Sequence, residues 1–339
     1  MTKLLKCVCA ILFVIVVLAV VGITVTIGWR PFIGPRARAL TNRHFDATPE
    51  RLARGKYIAE NASGCILCHS PMVMNGKDSI VTPEEKKGAG QIFPAAGLPG
   101  RIVASNLTPD RETGVGNWTD DELARAIREG VGKDGRALFP LMPYEHFRNM
   151  SDEDLASVIV YLRSLAPIHN PLPKTEVIFP VGYLIRVVPE PISGAVQADV
   201  STPVSRGKYL VEIGSCIDCH TPRDAHGAPV PGMDSAGGAM FEGPWGKVAS
   251  ANITPDKTGI DYYTPEMFVQ TIRTGAVGGL RKLNPVMPWE AMRGMTDEDL
   301  NAMFAYLKTL KPVQHYVNNV DRPTLCKKCK LQHGLGAQN

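Results

Sequence analysis

Strong charge of either sign is missing from this sequence. Its 339 residues carry 37 Lys and Arg against 33 Asp and Glu, a formal charge of +4, which supplies no basic footprint for nucleic acid. Long apolar stretches are missing too, with one exception: no charged residue interrupts Cys7 to Trp29. As a helix this run is about 34 Å long and crosses a bilayer core, so lipid is the expected partner of the N-terminus. The run is too long for an ordinary signal-peptide core, and no small-x-small cleavage site follows it. Residues 1–33 are therefore expected to stay as an anchor, with a removed signal peptide as the competing reading. Cys7 and Cys9 stand at the start of the run, whereas lipid attachment needs a cysteine after it, so they are read as small apolar helix residues.

Cysteine and histidine are scarce, eight of each, which makes their clustering informative. Cys65-Ile66-Leu67-Cys68-His69 returns as Cys216-Ile217-Asp218-Cys219-His220, and this spacing marks attachment of a c-type haem. Two thiols three residues apart reach both vinyl groups on one porphyrin edge, while the next residue brings its imidazole under the iron. His69 and His220 are the axial nitrogens on this reading. A zinc half-site would need a second Cys/His pair nearby, and none follows either motif; a redox disulfide is the other alternative. Two covalently attached haems are thus expected, and their propionates bring the net charge close to neutral. Covalent haem is added outside the cytoplasm, which predicts a single-pass protein of the bacterial inner membrane with its haem domains in the periplasm. Arg30, Arg36 and Arg38 oppose that orientation by the positive-inside rule, but long domains translocate largely regardless of flanking charge.

From residue 48 the chain repeats itself. Arg54-Gly55-Lys56-Tyr57 matches Arg206-Gly207-Lys208-Tyr209, and Asn106-Leu107-Thr108-Pro109-Asp110 matches Asn252-Ile253-Thr254-Pro255-Asp256. Leu141-Met142-Pro143-Tyr144 matches Val286-Met287-Pro288-Trp289, and Ser151-Asp152-Glu153-Asp154-Leu155 matches Thr296-Asp297-Glu298-Asp299-Leu300. The offset falls only from 152 (Arg54 to Arg206) to 145 (Asp152 to Asp297). The expected organisation is the anchor, a linker at 34–47, a first domain at 48–168, a tether at 169–200, a second domain at 201–313 and a tail at 314–339. Thr48-Pro49 and Thr202-Pro203 open a helix in each repeat, and Thr119 with Glu122 forms a capping box whose counterpart opens at Thr264. The last helices start at Ser151 and Thr296 and place Leu155, Val158, Ile159 and Leu162, or Leu300, Met303, Phe304 and Leu307, at helical spacing. The fold class is mainly α. About fifty Gly- and Pro-rich residues before Thr119 are read as structureless loop, tolerable because a haem supplies the core they wrap.

The sixth ligand decides between electron transfer and catalysis. Met142 and Met287 occupy equivalent places before a proline, and a thioether there gives His/Met iron and a raised potential. Met72, Met74, Met233 and Met240 have no matched partner in the other repeat. His146 is read as a surface or propionate neighbour, since its counterpart is Ala291. The matched Asn106 and Asn252 are expected to order a loop beside each haem edge. The tether, with its apolar piece Val177 to Ile185, is too short to span a membrane and is expected to pack across the interface between the domains. In the tail, Cys326-Lys327-Lys328-Cys329-Lys330 has the haem spacing with lysine in place of histidine. A local disulfide and a zinc site from Cys326, Cys329 and His333, with His315 as a fourth candidate, compete there with a lysine-ligated haem.

Together these motifs resemble the membrane-bound multihaem cytochrome c subunits of bacterial quinoprotein alcohol and gluconate dehydrogenases, over residues from about 48 to 313. The resemblance implies two tandem class I cytochrome c domains, in which the first and last helices cross closely. Gly55 with Tyr161 and Gly207 with Tyr306 match that crossing. It also implies electron transfer in a respiratory chain, with a dehydrogenase, a quinol-oxidising complex or a terminal oxidase as redox partner. Those subunits commonly carry three haems where this chain has two attachment motifs. A dihaem enzyme, of peroxidase or thiosulfate-oxidising type, is the alternative.

Overall fold

A computed structural model describes residues 3–75, 79–94, 97–187, 190–224, 227–243 and 245–334; the ends of the expected anchor and tail, 1–2 and 335–339, lie outside the described residues. Helix α1, Lys3–Val25, buries none of its side chains. It is the one helix among the described residues long and apolar enough to cross a membrane.

Each repeat then builds three helices at the places where its caps predict them. In the first they are α2 (Pro49–Tyr57), α3 (Asp120–Glu129) and α4 (Asp152–Ser164). In the second they are α5 (Pro203–Ile213), α6 (Pro265–Thr274) and α7 (Asp297–Leu307). Thr48, Thr119, Ser151, Thr202, Thr264 and Thr296 all accept a hydrogen bond from the backbone three residues on, each contributing about 1 kcal/mol. Beyond Tyr57 the first repeat widens into a π turn over Ile58–Ala62.

Within each repeat the first and last helices cross at the expected glycine. A Cβ on Gly55 would lie 1.9 Å from the Ser157 carbonyl oxygen, and one on Gly207 would lie 1.8 Å from that of Ala302. Only bare backbone permits so close an approach. The two pairs share one apolar core, in which Ile58, Leu155 and Ile159 join Leu210, Ile213, Leu300 and Met303.

The repeats are joined by an exchange of hydrogen bonds. Arg54 pairs with Asp154 of its own repeat at 2.8 Å, and Arg206 pairs with Asp299 at 2.5 Å. The tyrosine three residues on crosses over. Tyr57 donates to Asp299 and accepts from Thr296 N at 3.1 Å, while Tyr209 donates to Asp154 at 2.6 Å and accepts from Ser151 N at 3.1 Å. Each tyrosine thus satisfies the N-terminus of the other repeat's last helix, where unpaired backbone donors remain.

Two expectations are corrected. The Gly- and Pro-rich loops contain antiparallel pairs, Gln91–Ile92 with Val103–Ala104 and Met240–Gly243 with Gly246–Ala249, because backbone groups leaving solvent need partners. Among the described residues, the tether's hydrogen bonds run to the first repeat and to the segment after α1, in place of the expected packing across the interface. Glu176–Val177 pairs with Gly100–Arg101, Asp152 N donates to Val196 O, and Arg186 donates to the Pro31 carbonyl just beyond α1. An extended segment leaves the backbone groups of its non-proline residues free to pair at an edge, where proline is tolerated.

Candidate functional site

Each Cys-x-x-Cys-His stretch forms a single helical turn, Cys65–Cys68 and Cys216–His220. The chain enters it through a left-handed residue, Gly64 at φ 61° and Ser215 at φ 53°. One turn places both thiols on the same face. All four cysteines are unpaired, and Cys68 and Cys219 are exposed. Desolvation pushes the Cys65 and Cys216 thiols up to about 12, so these surroundings favour neutral sulfur, such as a thioether, over thiolate.

The two histidines are oriented identically. His69 Nδ1 lies 2.7 Å from Ser105 O, and His220 Nδ1 lies 2.7 Å from Ala251 O. A carbonyl only accepts, so Nδ1 carries the proton and Nε2 keeps its lone pair for a metal. Burial holds both imidazoles below the usual histidine range, which keeps them neutral as ligation requires. Gly90 N and Gly237 N donate to the carbonyls of His69 and His220 at 2.7 and 2.6 Å, closing a loop behind each ring.

The matched asparagines hold the carbonyls that orient these rings. Asn106, next to Ser105, is buried; its Oδ1 accepts from Thr108 N and Oγ1 at 2.9 and 2.7 Å, and its amide donates to Ile168 O at 2.7 Å. Asn252, next to Ala251, repeats the pattern with Thr254 at 2.9 and 2.7 Å and Val313 O at 2.8 Å. A buried polar knot thus ties the strand behind each histidine to the segment leaving the last helix. The repeat pointed to these asparagines, but their partners some sixty residues away could not be read from local spacing.

The methionine loops also match. Met142 N donates to Phe139 O at 3.1 Å and Met287 N to Asn284 O at 3.0 Å, and both side chains are half-buried against the shared core. The aromatic residue two positions on packs over the glycine that ends α3 or α6. A Cβ on Gly130 would meet the Tyr144 ring at 2.5 Å, and one on Gly275 the Trp289 ring at 2.5 Å. Tyr144 Oη and Trp289 Nε1 are buried without a protein partner. Matched donors reserved for an acceptor the chain does not supply, the freed histidine Nε2 atoms and the paired free thiols together fit a c-type haem in each repeat. The unmatched methionines are occupied elsewhere. Met72 and Met74 line a cavity of about 120 Å³ with Trp245, Met233 packs beside Cys326 and Cys329, and Met240 lies in the second hairpin.

His146, read from sequence as a surface or propionate neighbour, instead bridges the repeats. Its Nδ1 is 2.9 Å from Glu212 and its Nε2 is 2.9 Å from Asp218, between the cysteines of the second motif. These carboxylates, Asp218 foremost, hold its pKa up to about 10, so the ring is charged at neutral pH. In the tail, Cys326, Cys329 and His333 come together with His315, all fully buried. No disulfide joins the two thiols, and Lys330 lies exposed outside the cluster.

The cytochrome c family profile matches residues 204–311. The chain is 29% identical over 296 residues to the fructose dehydrogenase cytochrome subunit of Gluconobacter japonicus, an alignment covering 82% of this chain and 56% of that one. It is 30% identical over 281 residues to the gluconate 2-dehydrogenase cytochrome c subunit of Pantoea cypripedii, covering 76% and 59%. A diheme cytochrome c-type protein of Cereibacter sphaeroides is 27% identical over 262 residues, covering 75% of this chain and 84% of its own. The chain spans somewhat more than half the length of the two dehydrogenase subunits. It therefore carries a cytochrome c domain in its second repeat and resembles, along most of its length, the cytochrome c subunits of fructose, gluconate and quinone-dependent alcohol dehydrogenases.

Proposed function

We propose that this chain is a dihaem electron relay held by α1 in the bacterial inner membrane, with haem domains at 48–168 and 201–313 on the periplasmic side. Cys65 and Cys68, and Cys216 and Cys219, would hold the haems as thioethers; His69 and His220 would supply the proximal nitrogen, and Met142 and Met287 the sixth ligand. Bound haem supplies a one-electron iron couple. The protein's part is to fix the imidazoles through the Ser105 and Ala251 carbonyls, to keep apolar walls around the sulfur atoms, and to hold the methionine loops against Gly130 and Gly275. Six ligands leave no iron position for substrate, which suits outer-sphere transfer. The redox partner, by likeness to the relatives, is a membrane dehydrogenase, with a quinol-oxidising complex or terminal oxidase at the other end of the relay.

The observation that carries this reading is the pair of histidines with identical Nδ1 bonds of 2.7 Å to a backbone carbonyl, each beside two free thiols. The test is spectroscopic. Protein purified from membranes should retain two haems after denaturation and show the near-infrared band of methionine-ligated ferric haem. Met142→Ala and Met287→Ala should each remove about half of that band, one ligand per iron. A high-spin ferric signal in the intact protein, with peroxide turnover, would replace the relay with a dihaem enzyme.

A further inference from the structure

His315 and its surroundings have a counterpart in the first repeat that shows what they add. Asn170 N donates to Thr113 Oγ1 at 2.9 Å, and its side-chain amide donates to Ala89 O at 2.8 Å. In the second repeat His315 N donates to Thr258 Oγ1 at 2.9 Å, and its Nδ1 lies 2.8 Å from Ala236 O. The imidazole therefore does the amide's work with Nδ1–H and has a second nitrogen left over. That Nε2 lies 3.3 Å from Cys326 Sγ and 3.0 Å from His333 Nε2. His333 is set the same way: Nδ1 is 3.2 Å from Gly334 O, and Nε2 is 3.3 Å from Cys329 Sγ.

With both Nδ1 atoms beside carbonyls, the two Nε2 atoms approach each other to 3.0 Å. With a cysteine sulfur 3.3 Å from each nitrogen, this is a convergence of donor atoms that a shared metal cation would order. A proton there would place an imidazolium among side chains no more than 1% exposed. A Cys326–Cys329 disulfide would satisfy the sulfurs but leave the nitrogens facing each other. The ligand atoms of all four residues lie within 4.8 Å of one another. A tetrahedral Cys₂His₂ zinc site, with bonds of about 2.0 Å to nitrogen and 2.3 Å to sulfur, has edges of about 3.3 to 3.8 Å, close to the separations found here.

We propose that His315, Cys326, Cys329 and His333 bind one zinc ion. Two thiolates and two neutral imidazoles make a closed, charge-neutral site with no position for substrate, as in structural zinc centres. The surrounding bonds suit it: Lys328 N–H points at Cys326 Sγ at 3.4 Å, and both imidazoles are fixed through Nδ1. The ion would join the tail hairpin, Asn318–Leu325 with Gln332–Gly334, to the loop whose Ala236 and Gly237 lie directly behind His220. Gly237 N donates to His220 O at 2.6 Å, and Ser235 N donates to Thr221 Oγ1 at 2.9 Å. Zinc would thus brace the proximal side of the second haem site, a support the first repeat lacks.

Full-length protein purified from membranes without chelator should contain about one zinc per chain by mass spectrometric metal analysis, counted separately from iron. Its zinc K-edge absorption should report two sulfur neighbours at about 2.3 Å and two nitrogens at about 2.0 Å. Cys329→Ser should lose the zinc with iron unchanged, and Cys9→Ser should keep both. Zinc retained in the Cys329→Ser protein, zinc without sulfur neighbours, a different metal, a Cys326–Cys329 disulfide, or metal-free thiols would each overturn the proposal. The absorption measurement needs only the unaltered protein, so it decides even where the variant fails to fold. Iron content and haem spectra report on the relay reading independently.

Discussion

Replacing His146 with Gln removes a charge from the contact between the repeats while keeping a side chain of similar reach. The ring bridges Glu212 and Asp218 at 2.9 Å each, and its own side chain is 16% exposed. Hydrogen bonds and charge from these carboxylates raise its pKa from 6.5 to about 10. A gap of about 3.5 (10 less 6.5) at about 1.4 kcal/mol per pKa unit sets an upper bound near 5 kcal/mol. The carboxylate partners are 28% and 38% exposed, and solvent screening reduces the expected contribution to about 2 kcal/mol. The sign follows from linkage: a raised folded pKa stabilises fully below 6.5, and this is lost as pH rises through about 10. Urea unfolding of the holoprotein should show His146→Gln less stable by about 2 kcal/mol at about pH 6 and equal to the parent near pH 10.5. A deficit that stays constant across that range, or none at about pH 6, would refute the electrostatic account.

Gly207→Ala should destabilise the second repeat by about 3 kcal/mol or more, since its Cβ would meet the Ala302 carbonyl at 1.8 Å and force α5 and α7 apart; thermal unfolding reads the loss. A companion Ala302→Gly change should not restore stability, because the obstructing atom is backbone. Asn252→Ala removes the Oδ1 acceptor of Thr254 N–H and Oγ1–H and the amide donor to the Val313 carbonyl in a buried site and should cost about 1–3 kcal/mol. By releasing the segment that carries the Ala251 carbonyl, it should also disturb the ligand-field spectrum of the haem proposed for the second repeat more than that of the one proposed for the first.

Local chemistry was the legible part of this protein. Threonine, serine, proline and glycine at helix ends act within three or four residues, so the six long helices of the two repeats begin where their caps predict. The matched local form of the two Cys-x-x-Cys-His turns and of the two Met-Pro loops was equally plain, because short spacing and repetition mark them. What escaped depends on distant partners. Nothing local to Tyr57 distinguishes Asp154, beside it in its own repeat, from Asp299, its actual partner, since both repeats carry the same serine- or threonine-capped acidic turn. His146 looked unmatched because its partners, Glu212 and Asp218, belong to the other repeat. His315, eleven residues before Cys326, enters the sequence reading only as a fourth candidate, since it stands outside any compact Cys/His spacing; the fold brings it against Cys326. The hairpins in the glycine-rich loops have two-residue strands in the first repeat, too short for alternation to register.

The crossed tyrosines make the contact between the repeats self-complementary, the arrangement otherwise made by two identical subunits about a two-fold axis. Tyr57 seals the helix entered at Thr296, and Tyr209 seals the helix entered at Ser151. The molecule is thus built as a dimer folded from one chain, and the tether, clipped to the first repeat, does not carry the alignment. A chain nicked between residues 190 and 196 should keep its halves together and their relative orientation unchanged.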